Sequence, residues 1–337
     1  MSAIGDLLAG RARHPLLPAA SPVRRLSRLE GALGSSSAIW IKRDDALLPF
    51  CGNKLRYLEF VVGAARAEGA DAIVHCGGAT SNYLVQLAAV GAMVGMAVHV
   101  AIQAGPRVAG DPCPLLVALH GGKVRFVGSA SCATAKEEWA RDLAAAGHRP
   151  FVVGPPFANH SAILGFLAAA AELDAQSGEG TAPRPRRVYM CSAGNSYLGL
   201  RLGAALLGDP WEVRAFSPVR FADTHLAGIA PGRADFLRRK LADFSAFSGR
   251  DLPRFEPTVD EAMVGEGYPV PTRESMEAVR LVARTEGIVL DPIYTGKAMA
   301  GLVADLRAGR VAAGEDILFW HSGGAANIFG FPELARS

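Results

Sequence analysis

The stretch Arg187-Val188-Tyr189-Met190-Cys191-Ser192-Ala193-Gly194-Asn195-Ser196-Tyr197-Leu198-Gly199 decides the fold class. A strand-like run over 187–191 enters a loop of small residues and then a helical period over 197–207. The theme recurs along the chain. Apolar runs at 72–76, 97–102, 124–128, 150–153, 211–216 and 316–320 read as buried strands, with helical stretches at 81–94 and 134–146. Such alternation predicts an α/β architecture of parallel sheets with crossover helices on both faces. At 337 residues the chain is long for one core and short for three, which implies two packed α/β units. The polar, Gly- and Pro-rich stretch 174–186 reads as a surface loop separating the two series.

Half of the residues are hydrophobic and a fifth are charged, enough to bury a sizeable core, and 38 glycines suit many tight strand-to-helix turns. The formal charge is only +3, and no basic stripe is interleaved with aromatics, so nucleic acid is not an expected partner. The eight histidines are dispersed without an H-E-x-x-H motif, which argues against a metal site. No G-x-S-x-G elbow points to a serine hydrolase. The five cysteines lack a C-x-x-C pair. Cys76 and Cys191 sit in apolar runs and read as buried thiols, and the odd count points to a reducing compartment. No apolar run is long enough to cross a bilayer, and residues 1–13 lack the apolar core of a signal peptide. The expectation is a cytoplasmic protein with no membrane partner.

Four segments carry chemistry. In Cys51-Gly52-Asn53-Lys54-Leu55-Arg56, which follows Lys42-Arg43-Asp44-Asp45, Gly52 and Asn53 form a turn that opens a helix. Lys54 then lies in the first helical turn, where the positive dipole end disfavours an ammonium ion. A partly neutral lysine suits imine formation with an aldehyde cofactor, although the plainer reading is a surface lysine. Cys76-Gly77-Gly78-Ala79-Thr80-Ser81-Asn82-Tyr83 joins a strand to a helix, and its backbone N–H groups with Ser81 and Asn82 make an anion pocket. Read alone, Ser81 is equally a simple helix cap. The loop from Ser192 to Ser196 has the makings of a phosphate cup, yet matches neither G-x-G-x-x-G nor G-x-x-x-x-G-K-[ST]. Leu290-Asp291-Pro292-Ile293-Tyr294-Thr295-Gly296-Lys297 sets a tyrosine on a turn before a helix, either aimed into a cleft or packed at its rim.

In this order and spacing the four segments resemble the 1-aminocyclopropane-1-carboxylate deaminase / D-cysteine desulfhydrase family, which are fold type II pyridoxal 5'-phosphate (PLP) enzymes. The likeness runs from Pro22 to His321-Ser322-Gly323-Gly324. It implies a two-domain α/β fold of twisted, mostly parallel sheets with helices on both faces. A large cofactor domain would comprise 1–60 and 166–337, and a small α/β domain 61–165. The resemblance also implies that Lys54 holds PLP and moves the α-proton, with Asn53 beside the cofactor and Asn82 on its phenolic oxygen. Ser81 would meet the substrate carboxylate, and Ala193, Gly194, Asn195 and Ser196 would wrap the phosphate. Thr295 and Ser322 would lie near the pyridine nitrogen, and Tyr294 and Tyr268 would be the active-site tyrosines.

The chain departs from the family pattern at several places. Tyr83, counted as a substrate contact, stands where His or Gln is usual. Val85 replaces Arg, Tyr57 replaces Lys, and Cys51, Asn195 and Pro269 replace glycines. Thr295 occupies a position where the deaminase branch tends to carry Glu, which favours the desulfhydrase-like branch. The implied activity is α,β-elimination on a small amino acid, giving a keto acid and ammonia, by a homodimer. β-Replacement and cyclopropane ring opening are variants on the same scaffold. A PLP-binding protein without turnover is the alternative from another class.

Overall fold

The buried apolar runs become strands, and the stretches between them become helices over two sheets. The computed structural model describes residues 2–47, 52–103, 112–127, 132–154 and 159–335. The chain opens with α1 (Ala3–Leu8), β1 (Val23–Arg25), α2 (Ser27–Leu33) and β2 (Ala38–Arg43), and then enters α3 (Lys54–Ala67). Next come β3 (Ala72–Gly78), α4 (Asn82–Val94), β4 (Ala97–Gln103), α5 (Pro112–Leu119), β5 (Lys123–Val127), α6 (Cys132–Ala145) and β6 (Pro150–Val152). The long helix α7 (Ser161–Gly178) leads to β7 (Arg187–Cys191), α8 (Asn195–Leu206) and β8 (Glu212–Phe216). The chain ends with α9 (Arg233–Ser248), β9 (Val259–Asp260), α10 (Arg273–Glu286), α11 (Thr295–Arg307) and β10 (Asp316–His321).

Strands β3 to β6 form a four-stranded parallel sheet in the order β5-β4-β3-β6. The remaining strands form a six-stranded sheet, β1-β2-β10-β7-β8-β9, parallel except for β1 against β2. The chain is thus the expected α/β fold type II architecture. Strands buried on both faces read as continuous apolar runs, which is why they were visible in the sequence. Gly128, the end of one expected strand, lies outside the described residues. No helix among the described residues is long and apolar enough to cross a membrane.

Two expectations need correction. The stretch 174–178, expected as loop, is the end of α7. Gln176 there accepts from Lys42 Nζ at 2.7 Å and donates to the Ser21 carbonyl at 3.0 Å, so buried partners hold these polar residues in helix. Cys76, expected as a free thiol, is disulfide-bonded, whereas Cys113 and Cys191 are free and buried. Spacing along the chain does not register a pairing made by the fold.

The six-stranded sheet is tied to α3 and α7 by a buried ionic network. Arg56, 1% exposed, makes a two-pronged contact with Asp44 at 2.7 and 2.8 Å and reaches Glu172 on α7 at 2.9 Å. Lys42 Nζ adds a second cation to Glu172 at 2.6 Å, and Trp320 Nε1 donates to Asp44 at 2.7 Å. Burial pushes the Glu172 carboxyl up, but Arg56 and Lys42 outweigh it and hold the group at about 2. Arg56→Ala leaves Asp44 and Glu172 without their main partner, and should cost about 3–5 kcal/mol in chemical denaturation. Glu172 contributes stability above its unfolded value of about 4.5, lost as pH falls towards 2. The wild-type protein should therefore weaken over that interval more steeply than Arg56→Ala.

Candidate active site

In parallel sheets, ligands bind outside the carboxyl ends of strands, where connections leave in opposite directions. In the large sheet that point lies between the adjacent strands β10 and β7. The turn before α3 is fastened there. Gly52 forms an antiparallel bridge to Gly323, and Asn53 N–H donates to the Ser322 carbonyl at 3.1 Å. Lys54 is consequently the first residue of α3, half-buried, with Nζ 4.9 Å from the centroid of the Tyr57 ring. Cys51 lies outside the described residues.

Asn53 is 1% exposed, yet neither atom of its side-chain amide has a partner among the described residues. Gln86 Oε1 is buried in the same state. Unpartnered buried amides are costly and rare, and a ligand that completes their hydrogen bonds accounts for them.

At the end of β7, Ser192 Oγ accepts the N–H groups of Gly194 and Tyr197 at 3.0 and 3.1 Å and lies 2.8 Å from Ser196 Oγ. Both Ser192 lone pairs are thus occupied, so its proton goes to Ser196 and the Ser196 proton remains free to face a ligand. The N-cap residue of α8, Gly194, has no side chain to cap it, and with the Tyr197 N–H taken by Ser192 the helix start presents the N–H groups of Asn195 and Ser196 beside that hydroxyl. Gly194 holds φ at 150°, and a Cβ there would lie 2.7 Å from Leu237 Cδ2. Arg233 fixes the loop from behind through the Ala193 carbonyl. The expected cup, Ala193 to Ser196, is therefore assembled around Ser192, whose hydroxyl the sequence left without a role.

At the end of β3, Ser81 occupies the N-cap position of α4, but its side chain makes no capping bond. Asn82 begins the helix and accepts from Asn327 Nδ2 at 3.4 Å. A Cβ on Gly324 would come within 3.0 Å of Asn82 Nδ2 and 2.9 Å of Asp291 Oδ1, so three loops meet here. Tyr83 packs against His75 and Tyr57, with centroids 4.7 and 6.3 Å away, and its buried hydroxyl has no partner among the described residues. Tyr57, rather than Tyr83, is thus the ring recorded against Lys54 Nζ.

The two tyrosines meet directly. Tyr268 and Tyr294 hydroxyls are 2.7 Å apart, Tyr268 lies 2.6 Å from Thr80 Oγ1, and Tyr294 donates to the Thr80 carbonyl at 3.2 Å. Burial pushes both phenols above their usual range. Beneath them Asp291 accepts the backbone N–H groups of Ile293, Tyr294 and Thr295 and the Thr295 hydroxyl. Burial still pushes the Asp291 carboxyl up to about 6. The Thr295 proton, expected near a pyridine nitrogen, is committed to Asp291 at 2.7 Å, and Ser322 offers its carbonyl to Asn53. Lys297 Nζ donates to the carbonyls of Val264 and Gly267 at 2.7 and 3.5 Å, holding the loop that presents Tyr268. Asp291 was legible as a turn-forming carboxylate ahead of a helix. Thr80 and Lys297 had no local signal.

The family model described as "Pyridoxal-phosphate dependent enzyme" matches residues 16–323. The chain belongs to this family. It is 33% identical to a 1-aminocyclopropane-1-carboxylate deaminase from Methylobacterium sp. (strain 4-46), over 98% of this chain and all of the relative. It is also 33% identical to a D-cysteine desulfhydrase from Klebsiella pneumoniae (strain 342), over 95% of this chain and 96% of that protein. A crystal structure of an ACC deaminase homologue superposes with a TM-score of 0.82 at 28% identity, covering 97% of each chain. A threonine deaminase from Solanum lycopersicum shares the fold, with a TM-score of 0.66 at 16% identity over 98% of this chain and 92% of that one.

The residues present fit the family's cofactor: a helix start with the Asn195 and Ser196 N–H groups and the Ser196 hydroxyl for a phosphate, a half-buried lysine for an aldehyde, and an unpartnered buried amide. Gly194→Ala should cost about 1–3 kcal/mol of stability from its backbone conformation and weaken PLP retention sharply. Ser196→Ala should weaken retention by about 1.5–3 kcal/mol, the range for a hydrogen bond to a charged group. Titrating PLP into each variant and following cofactor absorbance measures both. Equal retention in wild type and the Gly194 variant would place the phosphate elsewhere.

Proposed function

We propose that this enzyme removes a β-substituent from a small amino acid, in the manner of a D-cysteine desulfhydrase, releasing a keto acid and ammonia. The observation that carries the reading is a half-buried Lys54 just after the turn bridged to Gly323, together with a hydrogen-bonded tyrosine pair that meets Thr80, beside a Ser81 whose hydroxyl makes no capping bond. Bound PLP, held by Lys54, Asn53 and the loop from Ala193 to Ser196, supplies the electron sink for charge left on the α-carbon. Lys54, whose Nζ lies 4.9 Å from the centroid of the Tyr57 ring, takes the proton from that carbon. Ser81 and the N–H groups at the start of α4 receive the substrate carboxylate. Tyr294 and Tyr268, both protonated because burial disfavours their charge, donate a proton to the departing group.

Elimination is favoured over cyclopropane opening because Thr295 stands where the deaminase-like pattern has Glu, and its hydroxyl is already spent on Asp291. The test is a panel of D- and L-β-substituted amino acids and 1-aminocyclopropane-1-carboxylate, scored for keto acid and ammonia. Release from one or more β-substituted members is expected, falling about 10²-fold or more in Tyr294→Phe with cofactor binding retained. Product from the cyclopropane substrate alone would establish the ring-opening reaction instead. Product from none would mark a PLP-binding protein without this activity.

A further inference from the structure

Thr80 is the last residue before the Ser81 cap, on the turn that leaves the four-stranded sheet, whereas Tyr268 and Tyr294 belong to loops of the six-stranded one. It is 4% exposed and touches both phenols through two different atoms, Oγ1 to Tyr268 and the carbonyl oxygen to Tyr294. Counting protons orders the cluster. A carbonyl only accepts, so the contact from Tyr294 to Thr80 uses the Tyr294 proton. The Tyr268–Tyr294 contact must then use the Tyr268 proton, and the remaining contact must use the Thr80 hydroxyl proton. Three protons fill three hydrogen bonds in one direction, starting and ending on Thr80.

We infer that Thr80 is a positioning residue that sets the direction of proton flow through the tyrosine pair, its hydroxyl donating to Tyr268 and its carbonyl holding Tyr294. The inference rests on the reading that these tyrosines exchange protons with the substrate. When Tyr268 gives up its proton, the Tyr294 hydroxyl turns from the Thr80 carbonyl towards it, so that the Tyr268 oxygen accepts from two donors, Thr80 and Tyr294. The Tyr294 oxygen lies against the Thr80 carbonyl on its other side, while the Thr80 hydroxyl makes its short contact, 2.6 Å, with Tyr268. Tyr268 is therefore the phenol that ionises first. Burial opposes charge on it, Thr80 and Tyr294 favour it, and Cys113 and Asp291 nearby oppose it. Burial and then Tyr268 oppose charge on Tyr294, Thr80 favours it, and Asp291 opposes it, leaving this phenol well above its usual range. Lys297 acts on Tyr268 only through the Val264 and Gly267 carbonyls.

The experiment uses the full-length, PLP-loaded protein with Tyr268 replaced by 3,5-difluorotyrosine, a more acidic phenol whose ionisation is read by ¹⁹F NMR. Thr80→Val removes the donor at nearly constant volume, Thr80→Ala removes it with less bulk, and Thr80→Ser keeps it. Thr80→Val and Thr80→Ala should raise the pH of ionisation by about one unit, a tenfold change in the ionisation constant. Thr80→Ser should titrate with the parent. In the protein with native tyrosines, Thr80→Val should lower kcat with KM little changed and move the pH–rate profile the same way. Titration of Thr80→Val or Thr80→Ala alongside the parent, or displacement of Thr80→Ser as far as Thr80→Val, would overturn the assignment. A displaced titration in a protein that releases keto acid from no amino acid supports the role of Thr80 while overturning the proposed reaction.

Discussion

The site depends on the charge cluster of Arg56 with Asp44, Glu172 and Lys42. Arg56 lies two residues beyond Lys54 on the first turn of α3, so whatever fixes its guanidinium also fixes where the lysine emerges. Its partners come from the end of β2, from α7 and, through Trp320, from β10. A two-pronged ion pair constrains orientation as well as distance, which a greasy contact at the same place would not. Buried ion pairs add little net stability but cost heavily when broken. This one is therefore better understood as setting geometry than as strengthening the fold.

A second constraint is the meeting of two sheets. The larger contributes the Ser192–Ser196 loop at β7, the Ser322–Gly324 turn at β10 and the tyrosine loops, and the smaller contributes Thr80, Ser81 and Asn82. The hydroxyl cluster of Thr80, Tyr268 and Tyr294 joins loops of the two sheets, so the tyrosine pair is itself part of the contact between them. Any relative motion of the sheets changes the distance between those phenols and their third partner.

What the sequence disclosed follows from the range of each interaction. Strands at 187–191 and 97–102 were legible because burial on both faces leaves an uninterrupted apolar run. The loop at Ser192–Ser196 was legible because a strand, small residues and a helix in succession present backbone N–H groups whatever surrounds them. The end of α7 was misread, since Gln176 is polar by composition and helical only because Lys42 is buried against it. The ionic network joins positions 44, 56 and 172, and the hydroxyl cluster joins 80, 268 and 294; neither leaves any periodic trace. Ser81 shows the complementary case. Its type and position suit a helix cap, and only the missing capping bond frees its hydroxyl for a ligand.

The three lysines of the segments that carry chemistry, Lys42, Lys54 and Lys297, are all buried or half-buried, and the fold gives each different company. Lys42 is held by Glu172, Gln176 and the Ser21 carbonyl, and Lys297 by two backbone carbonyls, whereas Lys54 stands at the crevice against the Tyr57 ring. Borohydride reduction of the PLP-loaded protein, followed by peptide mapping, fixes the cofactor to whichever lysine holds it. The account predicts the label on Lys54 and its loss in Lys54→Ala. A label on Lys42 or Lys297, or labelling that survives Lys54→Ala, would contradict it.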